Sequence, residues 1–366
     1  MSSVVLKGLS KKYENGTVAV SNFNADISSN EFFVILGPSG CGKSTLIRMI
    51  AGLEDITSGS ILIDNTSIKS IPPKNRGIAL VLNNQTLYPN MTVYENLEFG
   101  LKMRKIPKDE IARRIEEVAQ LLDIGSLLDR KPAALSGGQR YLISFGRAII
   151  RDPKVILMDE PLINFDAKLR ASIRQELKAY HARLGKTIIY VTKDQAEAAE
   201  LGSRILVMRN GTVQQTGTYE QLYESPVNVF VAKFIGEPQM NICEAELFAR
   251  DGIFHLRFGQ GFTIALPEIA ENSGLKRYSG KKLLMGIRPT DVLLECEGGE
   301  GAGIPMTVEN SELLGTQVVL SLVGGGVALT AQSSCSAKVK AGEEVRIHIS
   351  AEKLHLFDSD TERRIN

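Results

Sequence analysis

Along the first two thirds of the chain, short apolar runs alternate with longer stretches of helical spacing. FFVILG is followed by a helix expected from about Lys43, VILMDE ends in two carboxylates, TIIYVT precedes QAEAAELG, and RILVMRNG completes the series. Runs of this uninterrupted kind fit strands buried on both faces, and their alternation with helices predicts a parallel sheet covered on both sides. From about Tyr88 to Arg151 the strand pattern vanishes. There Ile111, Ile115, Val118, Ala119 and Leu122 recur at helical spacing behind Pro107 and Asp109, which predicts an inserted helical piece. Past FIGEP the texture becomes FHLRF, KLLMGI, QVVLSLVG and EVRIHI, separated by glycine-rich turns. That predicts an all-β domain, barrel or sandwich. The expected organisation is an α/β domain over 1–236, with its helical piece at about 88–151, and a β domain over 237–366.

Length supports two cores, since 366 residues exceed what one ordinary domain holds. Charge removes whole classes of partner. Forty-three basic side chains against forty-two acidic ones leave +1, so no broad field gathers nucleic acid or anionic lipid, and any phosphate chemistry must be local. Cys41, Cys243, Cys296 and Cys335 form no CxxC pair, which suggests neither a zinc site nor a disulfide framework and fits a reducing cytosol. His181, His255, His348 and His355 have no metal-ligand spacing and read as surface or strand-face residues. The opening MSSVVLKGLSKKYENG lacks a signal-peptide layout, and no apolar segment reaches the roughly 18 to 20 residues that span a bilayer. Work at a membrane would therefore need a partner to hold the chain there.

Directly after FFVIL comes GPSGCGKST: Gly37, Pro38, Ser39, Gly40, Cys41, Gly42, Lys43, Ser44 and Thr45. This is G-x-x-x-x-G-K-[ST] with a strand before it and a helix after it, the setting the phosphate loop requires. Glycines let successive N–H groups point inward, and the helix start adds partial positive charge. Lys43 is expected to reach the β and γ phosphates of ATP, and Ser44 to hold Mg²⁺ through its hydroxyl. Cys41 reads as a small residue pressed against a phosphate, so its alkylation is expected to block nucleotide binding. In VILMDEP the apolar run carries Asp159 to a strand end, where it can coordinate Mg²⁺ through water. Glu160, one residue on, can take the proton of a water attacking the γ-phosphate. LSGGQR offers a second phosphate-binding helix start, with Ser136 as cap followed by Gly137, Gly138 and Gln139.

In this order, GPSGCGKSTLIRMIAGLEDITSG, LSGGQR, MDEPL, IGEPQMN, MGIRP and LHLFD resemble ATP-binding cassette importer ATPases that serve maltose and, in the C-terminal third, glycerol 3-phosphate. The resemblance covers nearly the whole chain. It implies a P-loop ATPase with a helical insert, followed by a regulatory β domain related to the oligonucleotide-binding barrel. It implies a head-to-tail homodimer or heterodimer in which each phosphate loop faces the partner's SGGQ across ATP. Two transmembrane permease subunits and, indirectly, an extracytoplasmic solute-binding protein are implied as partners, with no nucleic acid. The place of work would be the cytoplasmic face of the inner membrane. Tyr13, in KKYENG, matches the family's adenine-stacking aromatic, and such stacking is worth about 1 to 3 kcal/mol per base.

The chain departs from that pattern around the γ-phosphate. YVTKDQ puts Lys193 where the family has a histidine that bonds the γ-phosphate and the attacking water; a lysine is a charged donor with no acceptor. ALVLNNQTLYP puts Asn83 where the family has a glutamine that touches Mg²⁺ and water, and Asn84 or Gln85 could replace it only if the loop slid. INFD keeps Asp166 but has Ile163 in place of the family's serine, and Tyr141 and Leu142 replace a polar pair after LSGGQR, with packing as the expected effect. Binding is therefore expected to survive better than turnover. The alternative reading is a nucleotide-binding subunit with a degenerate site that lends Ser136 to Gln139 to a competent second ATPase. The permease is expected to dock along Gln85 to Tyr94, where a charge at Tyr88 or Val93 should uncouple transport. Arg288 and Pro289 read as turn residues. The transported solute is not written in the chain.

Overall fold

The computed structural model describes residues 2–83, 87–266, 274–295, 303–333 and 339–366. Backbone contacts divide the chain into two compact units, Met1–Tyr219 and Glu220–Asn366.

The first unit runs β1 (Val4–Lys12), β2 (Val18–Ile27), β3 (Phe32–Leu36), α1 (Lys43–Ala51), β4 (Ser58–Ile63), β5 (Thr66–Ser67) and β6 (Ile78–Leu82). Helices α2 (Val93–Lys102), α3 (Lys108–Leu122) and α4 (Gly137–Ile149) follow, then β7 (Val155–Asp159), α5 (Ala167–Leu184), β8 (Thr187–Thr192), α6 (Gln195–Leu201), β9 (Arg204–Arg209) and β10 (Thr212–Gly217). A six-stranded sheet has the order β10-β9-β3-β8-β7-β6. From β9 to β6 every pairing is parallel. Every residue of β3, β7 and β8 is buried, which is why these strands read as unbroken apolar runs. β10 is an antiparallel edge joined to β9 by Asn210 and Gly211, both at positive φ, as a two-residue hairpin turn demands.

A second, antiparallel sheet, β2-β1-β4-β5, was not anticipated. Its longer strands mix buried with half-buried or exposed positions, as in β1, where Val4, Leu6 and Leu9 are buried and the residues between them are not, so they lack the apolar runs that mark the central sheet. Leu46, Ile47, Met49 and Ile50 of α1 share one core with Val4 and Leu6 of this sheet and with Phe33, Ile35 and Leu157 of the other. Each such side chain contributes about 1.5 to 3 kcal/mol by burial, so the helix behind the phosphate loop is anchored from two sheets.

The helical piece forms as its pattern predicts. Ile111, Ile115, Val118, Ala119 and Leu122 are the buried face of α3. Thr92 and Glu95 cap α2 reciprocally. At Gly146 of α4 an added Cβ would stand 3.2 Å from both Leu122 Cδ1 and Leu97 Cδ2, a close contact where the three helices meet.

The second unit takes in all but the first residue of α7 (Tyr219–Glu224), then α8 (Val229–Phe234), and continues as β11 (Asn241–Arg250), β12 (Ile253–Phe258), β13 (Phe262–Leu266), β14 (Lys281–Ile287), β15 (Val292–Leu294), β16 (Ile304–Leu314), β17 (Gln317–Gly324), β18 (Val327–Ser333), β19 (Glu344–Ile349) and β20 (His355–Asp358). Two antiparallel five-stranded sheets, β13-β12-β11-β14-β20 and β15-β19-β16-β17-β18, enclose one core that includes Leu247, Leu256, Met285, Leu320 and Ile347. Arg288 is more than a turn residue. Only 2 % exposed, it donates Nη1 to the carbonyls of Ala232, at 2.9 Å, and Ile235, and Nη2 to that of Tyr223 at 2.6 Å. It thereby ties α7 and α8 to the β domain. The strand histidines His348 and His355 face inward rather than to solvent, and His181 lies on α5 with its ring edge-on to Phe32 at 5.3 Å.

Candidate functional site

Strand register assembles the site. Leu36 pairs with Thr192, Asp159 with Val191, and Leu82 with Asp159, so β3, β8, β7 and β6 end side by side. The loop from Gly37, Lys193, Glu160 and Asn83 each leave the sheet at that common carboxyl edge, where parallel sheets present their ligands.

Two glycines make the loop possible. A Cβ on Gly37 would come within 2.4 Å of the Met208 carbonyl oxygen, and one on Gly42 within 2.2 Å of the Ala19 carbonyl oxygen, with Gly42 at φ 105°. The loop is pinned from behind, since Gly211 N donates to Cys41 O at 2.9 Å. No side chain caps α1, so the amides of its first turn are available to an anion.

Lys43 is buried, and its ammonium donates to Gly37 O and Pro38 O, both at 2.9 Å, while standing 3.7 Å from Glu160 Oε1. Ser44 Oγ donates to Asp159 Oδ1 at 3.0 Å. Burial pushes the Asp159 carboxyl up from its ordinary range, and the Ser44 hydrogen bond opposes the rise. Glu160 holds a left-handed φ of 44° and its N–H is fixed to Val191 O at 2.9 Å; a non-glycine residue there costs on the order of 1 kcal/mol or more. Tyr13 stands at the first turn of α1, its Oη 3.4 Å from Thr45 Oγ1.

The oxygens of Ser44 and Asp159 fit a magnesium ion. Among the described residues no cluster of three or more His, Cys, Asp or Glu could cage a metal. Magnesium accepts one or two protein oxygens when water and phosphate complete its shell.

Ser136 caps α4 as its sequence predicts: Gln139 N donates to Ser136 Oγ at 3.2 Å, and Ser136 N to Gln139 Oε1 at 3.0 Å. Gly137 and Gly138 lie against Phe165 and Leu169, where a Cβ would find Phe165 Cε1 at 3.4 Å and Leu169 Cδ1 at 3.1 Å. Among the described residues no hydrogen bond or ion pair joins this turn to the Gly37–Thr45 loop of the same chain. Lys193 is exposed and makes no hydrogen bond or ion pair with described residues. Asn83 is exposed too, its carbonyl accepting from Asn164 Nδ2 at 3.3 Å. Ile163 is half-exposed, and Asp166 caps α5 by accepting from Leu169 N at 2.9 Å.

Two expectations fail on burial. The Cys41 thiol does not line the loop's open side: it is 3 % exposed and packs into the core, where burial raises its pKa, so alkylation is not a route to blocking the loop. Val93 is the buried first residue of α2, and a charge there would damage the helical piece rather than merely uncouple a partner. Tyr88 is different. Exposed to 37 %, with the Arg147 guanidinium 4.6 Å from its ring, it lines a groove of about 340 Å³ with Leu82, Phe99, Met103 and Arg151. Asn84 and Gln85 lie outside the described residues. Sequence reasoning also missed Glu197, a buried carboxylate on α6 held by two hydroxyls; its only signal was one acidic residue on the apolar side of QAEAAEL.

Comparison with known proteins adds a consistent picture. Residues 20–163 match the ABC transporter family model, residues 236–292 the MalK OB fold domain and residues 285–357 the TOBE domain. The oligosaccharides import ATP-binding protein MsmX of Bacillus subtilis (strain 168) is 43 % identical, with 100 % of both chains covered. The sn-glycerol-3-phosphate import ATP-binding protein UgpC of Escherichia coli (strain K12) is 42 % identical over the same full coverage. Among solved structures, cbiO1 of Clostridium perfringens, part of the ABC transporter complex cbiONQ, aligns at TM-score 0.56 and 30 % identity over 59 % of this chain and 88 % of that one. An ATP-binding cassette solved as a dimer with ADP and Pi aligns at TM-score 0.52 and 32 % identity over 59 % and 98 %.

Proposed function

The chain belongs to the ABC transporter family, and within it we propose that this protein is the ATP-hydrolysing subunit of an importer for an oligosaccharide or glycerol 3-phosphate. The single observation that carries the reading is the convergence of Lys43, Ser44, Asp159 and Glu160 at one sheet edge, with Lys43 Nζ 3.7 Å from Glu160 Oε1. The relatives named for oligosaccharide and glycerol 3-phosphate import supply the solute class.

In this reading the phosphates of ATP lie on the amides of residues 37–45, with the adenine on Tyr13. Lys43 exchanges its loop carbonyls and Glu160 for β- and γ-phosphate oxygens. Glu160, freed of that partner, accepts the proton of the attacking water, a role worth about 10² to 10⁴ in rate. Mg²⁺, held by Ser44 and Asp159 with Asn83 nearby, would neutralise charge on the phosphates. Lys193 places a fixed positive charge toward the γ-phosphate, where developing charge is best stabilised by a preorganised donor. Ser136, Gly137, Gly138 and Gln139 close the nucleotide of a second subunit, which fits their separation from the loop of their own chain and the dimeric cassette among the solved relatives.

Two transmembrane permease subunits are the remaining partners, with a solute-binding protein acting through them at the other side of the membrane. No helix of the described residues is long and apolar enough to cross a bilayer. The place proposed for the chain, on its likeness to import ATP-binding proteins, is the cytoplasmic face, held by the permease in the groove beside Tyr88. We take residues 1–236 as the cassette and 237–366 as its regulatory β domain, supported by the OB and TOBE matches that begin at 236 and 285.

The test is Mg-ATP hydrolysis by the purified chain, alone and with permease subunits. Turnover abolished by Glu160→Gln is expected. Retained ATP with no turnover, under conditions where a Lys193→His, Asn83→Gln double variant is active, would contradict the hydrolytic part.

A further inference from the structure

The residues on both sides of Lys193 are tied to one buried carboxylate. Glu197, on the first turn of α6, is 3 % exposed, and its Oε2 accepts from Tyr190 Oη at 2.9 Å and Thr192 Oγ1 at 2.6 Å. Thr192 Oγ1 accepts in turn from Asp194 N at 3.0 Å. The Asp194 carboxylate accepts from Ala196 N at 2.8 Å and Glu197 N at 3.1 Å, and pairs with Arg170 of α5 at 3.2 Å. Thr192 and Asp194 are therefore fixed in side chain and backbone, while the exposed lysine between them makes no hydrogen bond or ion pair with described residues. A hydrophobic residue would fill the Glu197 site without the desolvation that a buried carboxylate suffers, and Ala198 and Leu201 already anchor α6. What an apolar residue could not do is hold the Thr192 hydroxyl where it accepts from Asp194.

We propose that Glu197 is a positioning residue for ATP hydrolysis: through Thr192 it fixes the turn that aims Lys193 at the terminal phosphate. The inference rests on the role proposed for Lys193. Displacing a catalytic group by about 1 Å costs on the order of 10²-fold in rate, so loosening this turn should act on turnover and not on ATP affinity. Removing Glu197 should matter only while Lys193 is present.

The test is steady-state Mg-ATP hydrolysis by the full chain carrying Glu197→Ala, Glu197→Gln, Lys193→Ala or the Glu197→Ala, Lys193→Ala pair, with thermal melting of each. Glu197→Ala is expected to lower kcat about 10-fold or more with KM within about twofold. Glu197→Gln, whose amide oxygen still accepts from Thr192, should recover most of the rate. In the Lys193→Ala background, Glu197→Ala should cost nothing further. If it lowers kcat as much there as in the parent, or if Glu197→Gln is as slow as Glu197→Ala while melting normally, Glu197 does not act through Lys193 and the inference falls while the role of Lys193 stands. A kcat indifferent to Lys193→Ala overturns the role of Lys193, and the inference with it.

Discussion

Ser44 Oγ donates to Asp159 Oδ1 at 3.0 Å across a sequence separation of 115 residues. The bond joins the helix after the phosphate loop to the end of β7 and defines where a metal ion would enter. Asp159→Asn keeps an acceptor for Ser44 and removes the charge. Hydrolysis should fall on the order of 10²- to 10³-fold, with a higher Mg²⁺ requirement and little change in metal-free ATP binding. A Mg²⁺ titration of the ATPase checks it, and an unchanged midpoint would count against the assignment.

Lys193 and Asn83 emerge beside Gly37 and Glu160 at the same sheet edge. Restoring a neutral donor and acceptor at one position and a longer amide at the other should raise kcat, on the order of 10-fold or more for the double variant Lys193→His, Asn83→Gln. KM for ATP should hardly move, because neither side chain belongs to the loop that cradles the phosphates. The two gains are not expected to multiply simply, since both act on one network. Single and double variants assayed in parallel decide the point.

The chain announced its catalytic edge because phosphate binding depends on local sequence: glycines at fixed offsets, one lysine, and an apolar run ending in two acids. The three buried strands of the parallel sheet were legible for the same reason, as was the α3 stripe. What stayed hidden depends on distant partners. The longer strands of the antiparallel sheet, which mix buried with half-buried or exposed residues, give a weak pattern. Val93 and Cys41 look accessible in one dimension and are buried by neighbours far away in sequence. Arg288 is a charged residue whose burial is made possible by carbonyls 53 to 65 residues earlier in the chain, and no short window of sequence contains both partners of such a bond. The hydroxyls that hold Glu197 lie only five and seven residues before it, but it takes the strand–turn–helix fold to bring them onto its carboxylate.

Tyr141 shows what the departure after LSGGQR does. Its side chain is fully buried, the ring edge-on to Phe165 at 6.0 Å, and its hydroxyl has no hydrogen-bond partner among the described residues. An unsatisfied buried hydroxyl costs about 1 to 3 kcal/mol. Tyr141→Phe keeps the packing and should raise the thermal midpoint by about 2 to 4 °C for each kcal/mol relieved. A lower midpoint in a melting curve would mean that the hydroxyl is paired.

His355 makes the second unit acid-sensitive. Burial, with the positive charges of Arg364, Arg288 and Lys353, lowers its pKa from 6.5 to about 4. A depressed folded-state value contributes stability that is present above pH 6.5 and lost as pH falls toward 4, on the order of 3 kcal/mol in all. Protection factors of the β14 and β20 amides, taken against the intrinsic exchange rate at each pH, should fall across that window, and His355→Phe should flatten the dependence. A profile identical in both proteins would exclude His355 as the cause.

The central claim is that ATP on the Gly37–Thr45 loop is closed by the Ser136–Gln139 turn of another subunit. Sedimentation of the Glu160→Gln variant with Mg-ATP tests it most directly. The account predicts a nucleotide-dependent species of twice the 40.0 kDa chain mass that is lost on Ser136→Arg. A chain that holds ATP but stays monomeric at every concentration, or one that fails to hold ATP, would contradict it.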